Sequence, residues 1–130
     1  MPRILVIDDQ PQLRASISLT LEAHGITAVT AASGRLGLSE VDASELAMTP
    51  FDAALVDIYM PEMDGLQLIR ALRERKPDLP IIAMSGVLLP ATGTSVLDRL
   101  PPGIRRLQKP FRSAQLLQAV QLAWAWHNPA

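Results

Sequence analysis

The sequence predicts one α/β domain built on a parallel sheet, and three observations predict it. Apolar runs too short for helices recur between longer segments of helical period, the sequence form of repeated strand-helix units. Runs such as Ile4-Leu5-Val6-Ile7 and Ala53-Ala54-Leu55-Val56 do not alternate with polar residues, as expected for strands covered by helices on both faces. Four of the runs end in a polar residue: Asp8 with Asp9, then Asp57, Ser85 and Lys109. In an open parallel sheet all carboxyl ends share one edge, so residues far apart in sequence converge there.

The first strand is Ile4 to Ile7. A helix opens at Pro11, whose missing N–H costs little in a first turn, carries Leu13, Ile17 and Leu21 on one stripe, and ends at Gly25. His24 precedes that glycine, where a cation favours the helix terminus, so it reads as a cap. Thr27 to Ala31 is the second strand, followed by a helix over Arg35 to Ala47. Ala53 to Val56 is the third, followed by a helix from Leu66 to Arg75 with Asp64 as its cap and Pro77 beyond its end. Ile81 to Met84 is the fourth. The stretch from Val87 to Gly103 is broken by Pro90, Gly93, Pro101 and Pro102, leaving a short fourth helix over Thr94 to Leu100. Ile104 to Leu107 is the fifth strand. The fifth helix starts after Ser113 as N-cap and turns Leu116, Leu117, Val120 and Trp124 toward the core, with Leu122 and Trp126 off that stripe, either a partner or dimer patch or the packing of a frayed terminus on its own domain.

Composition narrows the function. A length of 130 residues suits one domain, residues 1–130, able to bury a core without staples. Hydrophobic residues at 48% and charged residues at 19% describe an ordinary folded protein. A net charge of -1 and the lack of any Lys/Arg run argue against nucleic-acid binding. There is no cysteine, which excludes disulfides, thiolate metal sites and cysteine nucleophiles. No run approaches the roughly 20 apolar residues of a membrane span, and the first apolar run stops at two aspartates. The expectation is a cytoplasmic protein with no membrane partner.

The converging side chains define the chemistry. Three carboxylates at one mouth repel one another and pay desolvation, an arrangement that calls for a cation. Mg²⁺ suits it, being held by one or two carboxylates with waters and phosphate oxygens. Lys109 adds a mobile positive charge, Ser85 a hydroxyl donor, and Gly86 room beside them. A carboxylate nucleophile with a metal, a cation and a hydroxyl can receive a phosphoryl group, making Asp57 an aspartyl phosphate. Met60, Met63 and Met84 read as packing, since the oxygen-rich company argues against a soft metal.

The chain resembles the receiver domain of bacterial two-component response regulators, of the chemotaxis-regulator type. The resemblance is carried by Ile4-Leu5-Val6-Ile7-Asp8-Asp9, then Val56-Asp57-Ile58-Tyr59-Met60-Pro61-Glu62-Met63-Asp64-Gly65, then Ser85-Gly86 and Lys109-Pro110-Phe111. It implies a flavodoxin-like fold: five parallel strands in the order 2-1-3-4-5 with five helices. It implies Asp57 as phosphoacceptor and Mg²⁺, with Mn²⁺ as substitute, held by Asp9, Asp57 and the backbone carbonyl of Tyr59, with Asp8 acting through metal-bound water. Ser85 and Lys109 would bind the phosphoryl oxygens, and the Lys109–Pro110 peptide would be cis. The implied donor is a histidine kinase or histidine phosphotransfer protein, and the implied output is a protein target or a homodimer formed by the fourth helix, fifth strand and fifth helix. Such a protein catalyses only its own phosphorylation and dephosphorylation, a switch more than an enzyme.

The sequence departs from that pattern in three places. Arg106 stands where receivers carry a Tyr or Phe, so the switch is expected to work without an inward-swinging aromatic. Leu100-Pro101-Pro102-Gly103 precedes the fifth strand, which predicts a displaced fourth helix and an unusual output face. Tyr59 is bulky beside the acceptor, which predicts slow self-dephosphorylation. The alternative is an interaction module of the same fold that signals without phosphorylation. A phosphatase of the haloacid-dehalogenase type would want an acid where Tyr59 stands, and a nucleotide or flavin site would want a Gly-rich phosphate loop that the chain lacks.

Overall fold

The computed structural model describes residues 2–60, 65–86 and 100–127, without the side chains of 125–127. Five strands, β1 (Arg3–Ile7), β2 (Thr27–Ala31), β3 (Ala53–Asp57), β4 (Ile81–Ser85) and β5 (Arg105–Gln108), form one parallel sheet in the order β2-β1-β3-β4-β5. Four helices are described: α1 (Pro11–Ala23), α2 (Gly34–Leu46), α3 (Gly65–Arg75) and α4 (Ser113–His127). The last of these is the helix expected as the fifth.

The unbroken apolar runs have the predicted cause. Alternate residues of β1 go to opposite faces: Leu5 and Ile7 pack with Leu68, Ile69 and Leu72 of α3, while Ile4 and Val6 pack with Ile17 and Leu21 of α1 and Leu116 and Val120 of α4. The sheet is thus buried on both faces, and each such Leu or Ile contributes roughly 1.5–3 kcal/mol by leaving water. Only β5, at one edge, is largely exposed, with Leu107 as its inward residue.

Two helices end the same way on different residues. After α1, the N–H groups of Gly25 and Ile26 bond the carbonyls of Glu22 and Leu21, with Gly25 at φ +76°. After α2, Met48 and Thr49 bond Glu45 and Ser44 in the same pattern, and Met48 takes φ +58°. Both are Schellman closures, whose left-handed position normally falls to glycine. His24 contributes the expected cap, its ring Nδ1 lying 2.9 Å from the Thr20 carbonyl oxygen.

Several expectations need correction. Trp124 is 37% exposed, and Ala123, 2% exposed, takes the inward position after Leu116 and Val120. The spacing 116-120-123 follows the helical stripe, and the following residue drifts to its flank. Ser113 is already the first helical residue of α4. The N-cap is Arg112, whose carbonyl accepts from the Leu116 N–H, while the Gln115 side chain reaches back to accept the Arg112 N–H at 2.8 Å. β3 and β4 each run one residue further than expected, so Asp57 and Ser85 are the last residues of their strands. The expected helix over Thr94 to Leu100, apart from Leu100, the cap at Asp64 and the side chain of Trp126 fall outside the described residues, while Leu122 is exposed, off the inward stripe as expected.

Candidate functional site

The sheet brings the predicted residues to one edge. Asp8 follows β1, whose neighbours are β2 and β3, and its backbone N–H is held by the Ala31 carbonyl at 3.2 Å. Its Oδ1 accepts from the Gln10 N–H at 2.8 Å, closing the turn that leads into α1. Asp57 ends β3, and its Oδ1 accepts from the Tyr59 N–H at 3.0 Å. Ser85 ends β4 beside it, and the Ser85 carbonyl accepts the Lys109 N–H at 2.7 Å. Lys109 therefore enters the mouth directly after β5, and its peptide bond to Pro110 is cis.

Asp8, Asp9 and Asp57 each turn a carboxylate oxygen to a common point, all within 4.8 Å of one another. Asp8 is 0% exposed and Asp57 4%, whereas Asp9 faces solvent. The Lys109 Nζ lies 2.8 Å from Asp8 Oδ2 and 3.3 Å from Asp57 Oδ2, so one ammonium is shared by the two buried acids. Burial pushes the Asp57 carboxyl above its ordinary value and the Asp8 charge adds to that, against the opposing pull of the Tyr59 N–H and of Lys109. Burial lowers the Lys109 pKa, but the hydrogen bond to Asp8 and the charges of Asp57 and Asp8 more than offset it, holding the ammonium above its ordinary value. These carboxylates are the oxygen-rich, incompletely neutralised donor set that a hard divalent cation takes.

Three features of the surroundings were not apparent from the sequence. Arg14, on the first turns of α1, donates from Nη1 to the Asp8 carbonyl at 2.7 Å and so clamps the acidic turn. Gly65 donates to the Ile58 carbonyl at 3.0 Å, and a Cβ there would run into the Ile58 backbone, so only glycine lets α3 begin this close to the end of β3. A cleft of about 410 Å³ lined by Gln10, Leu13, Gly86, Lys109, Pro110 and Phe111 opens beside the lysine. A Cβ on Gly86 would meet only the Lys109 Cβ at 3.8 Å, which matches the expected open space. The spacing of Arg14, six residues after Asp8 on a helix that starts at the site, is the one signal that pointed to any of these. Arg106 lies exposed on β5, opposite Ala83 in register.

A parallel five-stranded sheet that gathers three acids, a lysine and a serine at its carboxyl edge defines a class of α/β domains with an acidic mouth suited to a hard cation. Comparison with known proteins places the chain within it: residues 4–121 match the model of the response regulator receiver domain, and the chain belongs to that family of two-component systems. It is 32% identical over 126 residues to the C4-dicarboxylate transport transcriptional regulatory protein DctD of Pseudomonas aeruginosa, covering 93% of this chain and 25% of that protein. It is 34% identical over 125 residues to the transcriptional regulatory protein PrrA of Mycobacterium bovis, covering 92% and 48%. The chain thus spans between about a quarter and a half of the length of these relatives. Among solved structures it is similar to the chemotaxis protein CheY4 of Vibrio cholerae, with TM-score 0.79, 27% identity and 95% and 98% of the two chains covered. It is equally similar to a sensor protein from Polaromonas sp. JS666, with TM-score 0.80, 30% identity and 97% and 98% covered.

Proposed function

We propose that this receiver accepts a phosphoryl group on Asp57 from the phosphohistidine of a histidine kinase or phosphotransfer protein. The observation that carries the reading is the shared point of the Asp8, Asp9 and Asp57 carboxylates with one lysine bonded to two of them. An Asp57 oxygen attacks phosphorus, the P–N bond breaks as the P–O bond forms, and the leaving imidazole keeps the bond's electron pair. Asp9, Asp57 and the Tyr59 backbone carbonyl would hold Mg²⁺, with Asp8 behind a water, and the ion supplies charge neutralisation at the phosphoryl oxygens. Lys109 would leave the carboxylates for the phosphoryl oxygens, Ser85 would donate to one of them, and the buried β1, β3 and β4 ends fix these groups in line.

The product is a modified protein, so the reaction is one phosphoryl group per chain, and the domain acts as a switch in the cytoplasm. Its output would be a protein contact, or a homodimer, through the exposed face of β5 and the last helix. Tyr59, whose N–H already bonds Asp57, would slow hydrolysis of the acyl phosphate, and Tyr59→Asn should shorten its lifetime. Intact mass after incubation with Mg²⁺ and acetyl phosphate tests the main reading. A single phosphoryl adduct that disappears in Asp57→Asn and on chelation is expected; no adduct under trapping conditions would leave the interaction module, the reading that Arg106 at the aromatic position favours.

A further inference from the structure

The opposite edge of the sheet holds a second cavity. It measures about 310 Å³ and lies between the end of α3, the α3–β4 turn, the start of β5 and Ala123 of α4. Such a volume is at the lower end of the roughly 300–1,000 Å³ of small-molecule sites. Its walls are apolar, from Leu79, Ile81 and Ala123, and its rim carries Pro77, Pro80 and Pro102. Two guanidinium groups line it, those of Arg73 and Arg105, together with a single acid, Asp78.

The Arg73 Nε is shut off from solvent and has no hydrogen-bond partner. Two of its basic neighbours, at the end of α3 and just beyond it, are paired: Arg75 Nε lies 3.1 Å from Asp42 Oδ1 and Lys76 Nζ 2.6 Å from Glu45 Oε1. Arg73 and Arg105 form no ion pair among the described residues, although Asp78 lines the same cavity. A buried donor left unmade costs about 1–3 kcal/mol, more when it is charged, and native folds rarely retain one without reason. Arg73 and Gly103 both line the cavity and Arg73 Nη2 lies beside Gly103, so it is at this outer end of the guanidinium that an acceptor has space. Gly103, at φ +84°, forms the turn that carries the chain past Arg73 into β5, and a Cβ there would be only 3.6 Å from Arg73 Nη2.

We propose that this cavity is a binding site for a small organic anion, a carboxylate with a compact apolar body, whose charged end meets Arg73 and Arg105 and whose body lies on Leu79, Ile81 and Ala123. A planar guanidinium suits a carboxylate through paired N–H···O bonds, and the apolar walls exclude a bare, strongly hydrated ion. The site is separate from the acidic mouth: Ile81 opens the strand that Ser85 closes, and Arg105 opens the strand after which Lys109 follows. Its existence does not depend on phosphorylation of Asp57.

The test uses the ¹⁵N-labelled chain and the side-chain Nε–Hε resonance of Arg73, assigned by its loss in Arg73→Met. Sodium benzoate is titrated against sodium chloride at matched ionic strength and against inorganic phosphate. The proposal expects a saturable shift of the Arg73 Nε–Hε peak and of the Gly103 amide with benzoate only. It expects at least tenfold weaker binding in Arg105→Gln, the loss of one charge-assisted hydrogen bond, and tighter binding in Asp78→Asn. A linear drift equal to that in chloride would overturn it, as would equal saturation by inorganic phosphate, which would assign the cavity to a hard anion.

Discussion

The two edges of the sheet treat positive charge in opposite ways. At the carboxyl edge one ammonium is bonded to two buried carboxylates that arrive from different strands. At the amino edge a guanidinium faces apolar walls with its Nε unbonded. Parallel topology explains the first arrangement: every strand delivers its end to the same mouth, so acids at positions 8 and 57 and a lysine at 109 meet without local sequence contact. Nothing in the topology forces partners on Arg73, which sits where a helix ends and a turn begins. The compensated lysine holds the mouth together; the arginine that lines the cavity is the anchor proposed for an anion.

Removing each cation sharpens the contrast. Lys109→Met leaves two buried carboxylates without their counter-charge and should lower unfolding free energy by about 3 kcal/mol, measured by urea titration. Millimolar Mg²⁺ should recover part of the loss, and full stability without metal would break the argument. Asp57→Asn works in the other direction. Burial raises the Asp57 pKa from 3.8, so the native state binds that proton more tightly than the unfolded chain does, and charging the group costs stability. The cost is complete above the raised value and absent below the ordinary one. Asp57→Asn should therefore melt higher than the parent at neutral pH by thermal denaturation, with the gain fading on acidification through the raised value. Lys109, held above its ordinary 10.5, contributes stability that persists through neutral pH and is lost only as pH rises through its raised value.

The amino edge predicts smaller effects. Met48→Gly relieves a left-handed methionine and should add about 0.5 kcal/mol, since the relief of roughly 1–2 kcal/mol is partly offset by the greater freedom of glycine in the unfolded chain. A loss of stability would mean that the Met48 side chain packs usefully. Arg73→Met keeps the stem and removes a charge whose buried Nε is unbonded, so it should raise stability, by up to about 1 kcal/mol. A loss near that of Lys109→Met would show that Arg73 is structurally partnered after all and erase the difference between the edges.

Much of this molecule is legible in its sequence. Buried strands announce themselves because two covered faces demand unbroken apolar runs, and polar residues at the ends of such runs have only the shared edge to occupy. Gly25 signalled the end of α1 because glycine is the usual residue at positive φ; the equivalent closure at Met48 carried no such sign. Trp124 was misplaced because a stripe spaced by four drifts off the core within two turns, and Ala123 held the inward position unnoticed. The cap at Arg112 was hidden because its partner is a side chain three residues on, while Ser113 matched the commoner pattern. Arg14 and Arg73 were invisible as participants because their roles depend on a backbone carbonyl and on a cavity, both created by tertiary structure.

The bond between Lys109 and Asp8 joins residues 101 positions apart. During synthesis the acids leave the ribosome long before the lysine, so a nascent or truncated chain holds Asp8 and Asp57 without the ammonium that they share in the fold. The mouth is assembled only when the last strand docks. On the proposed function, a chain cut before Lys109 would lack one of the groups that hold the phosphoryl oxygens and should be a poor acceptor.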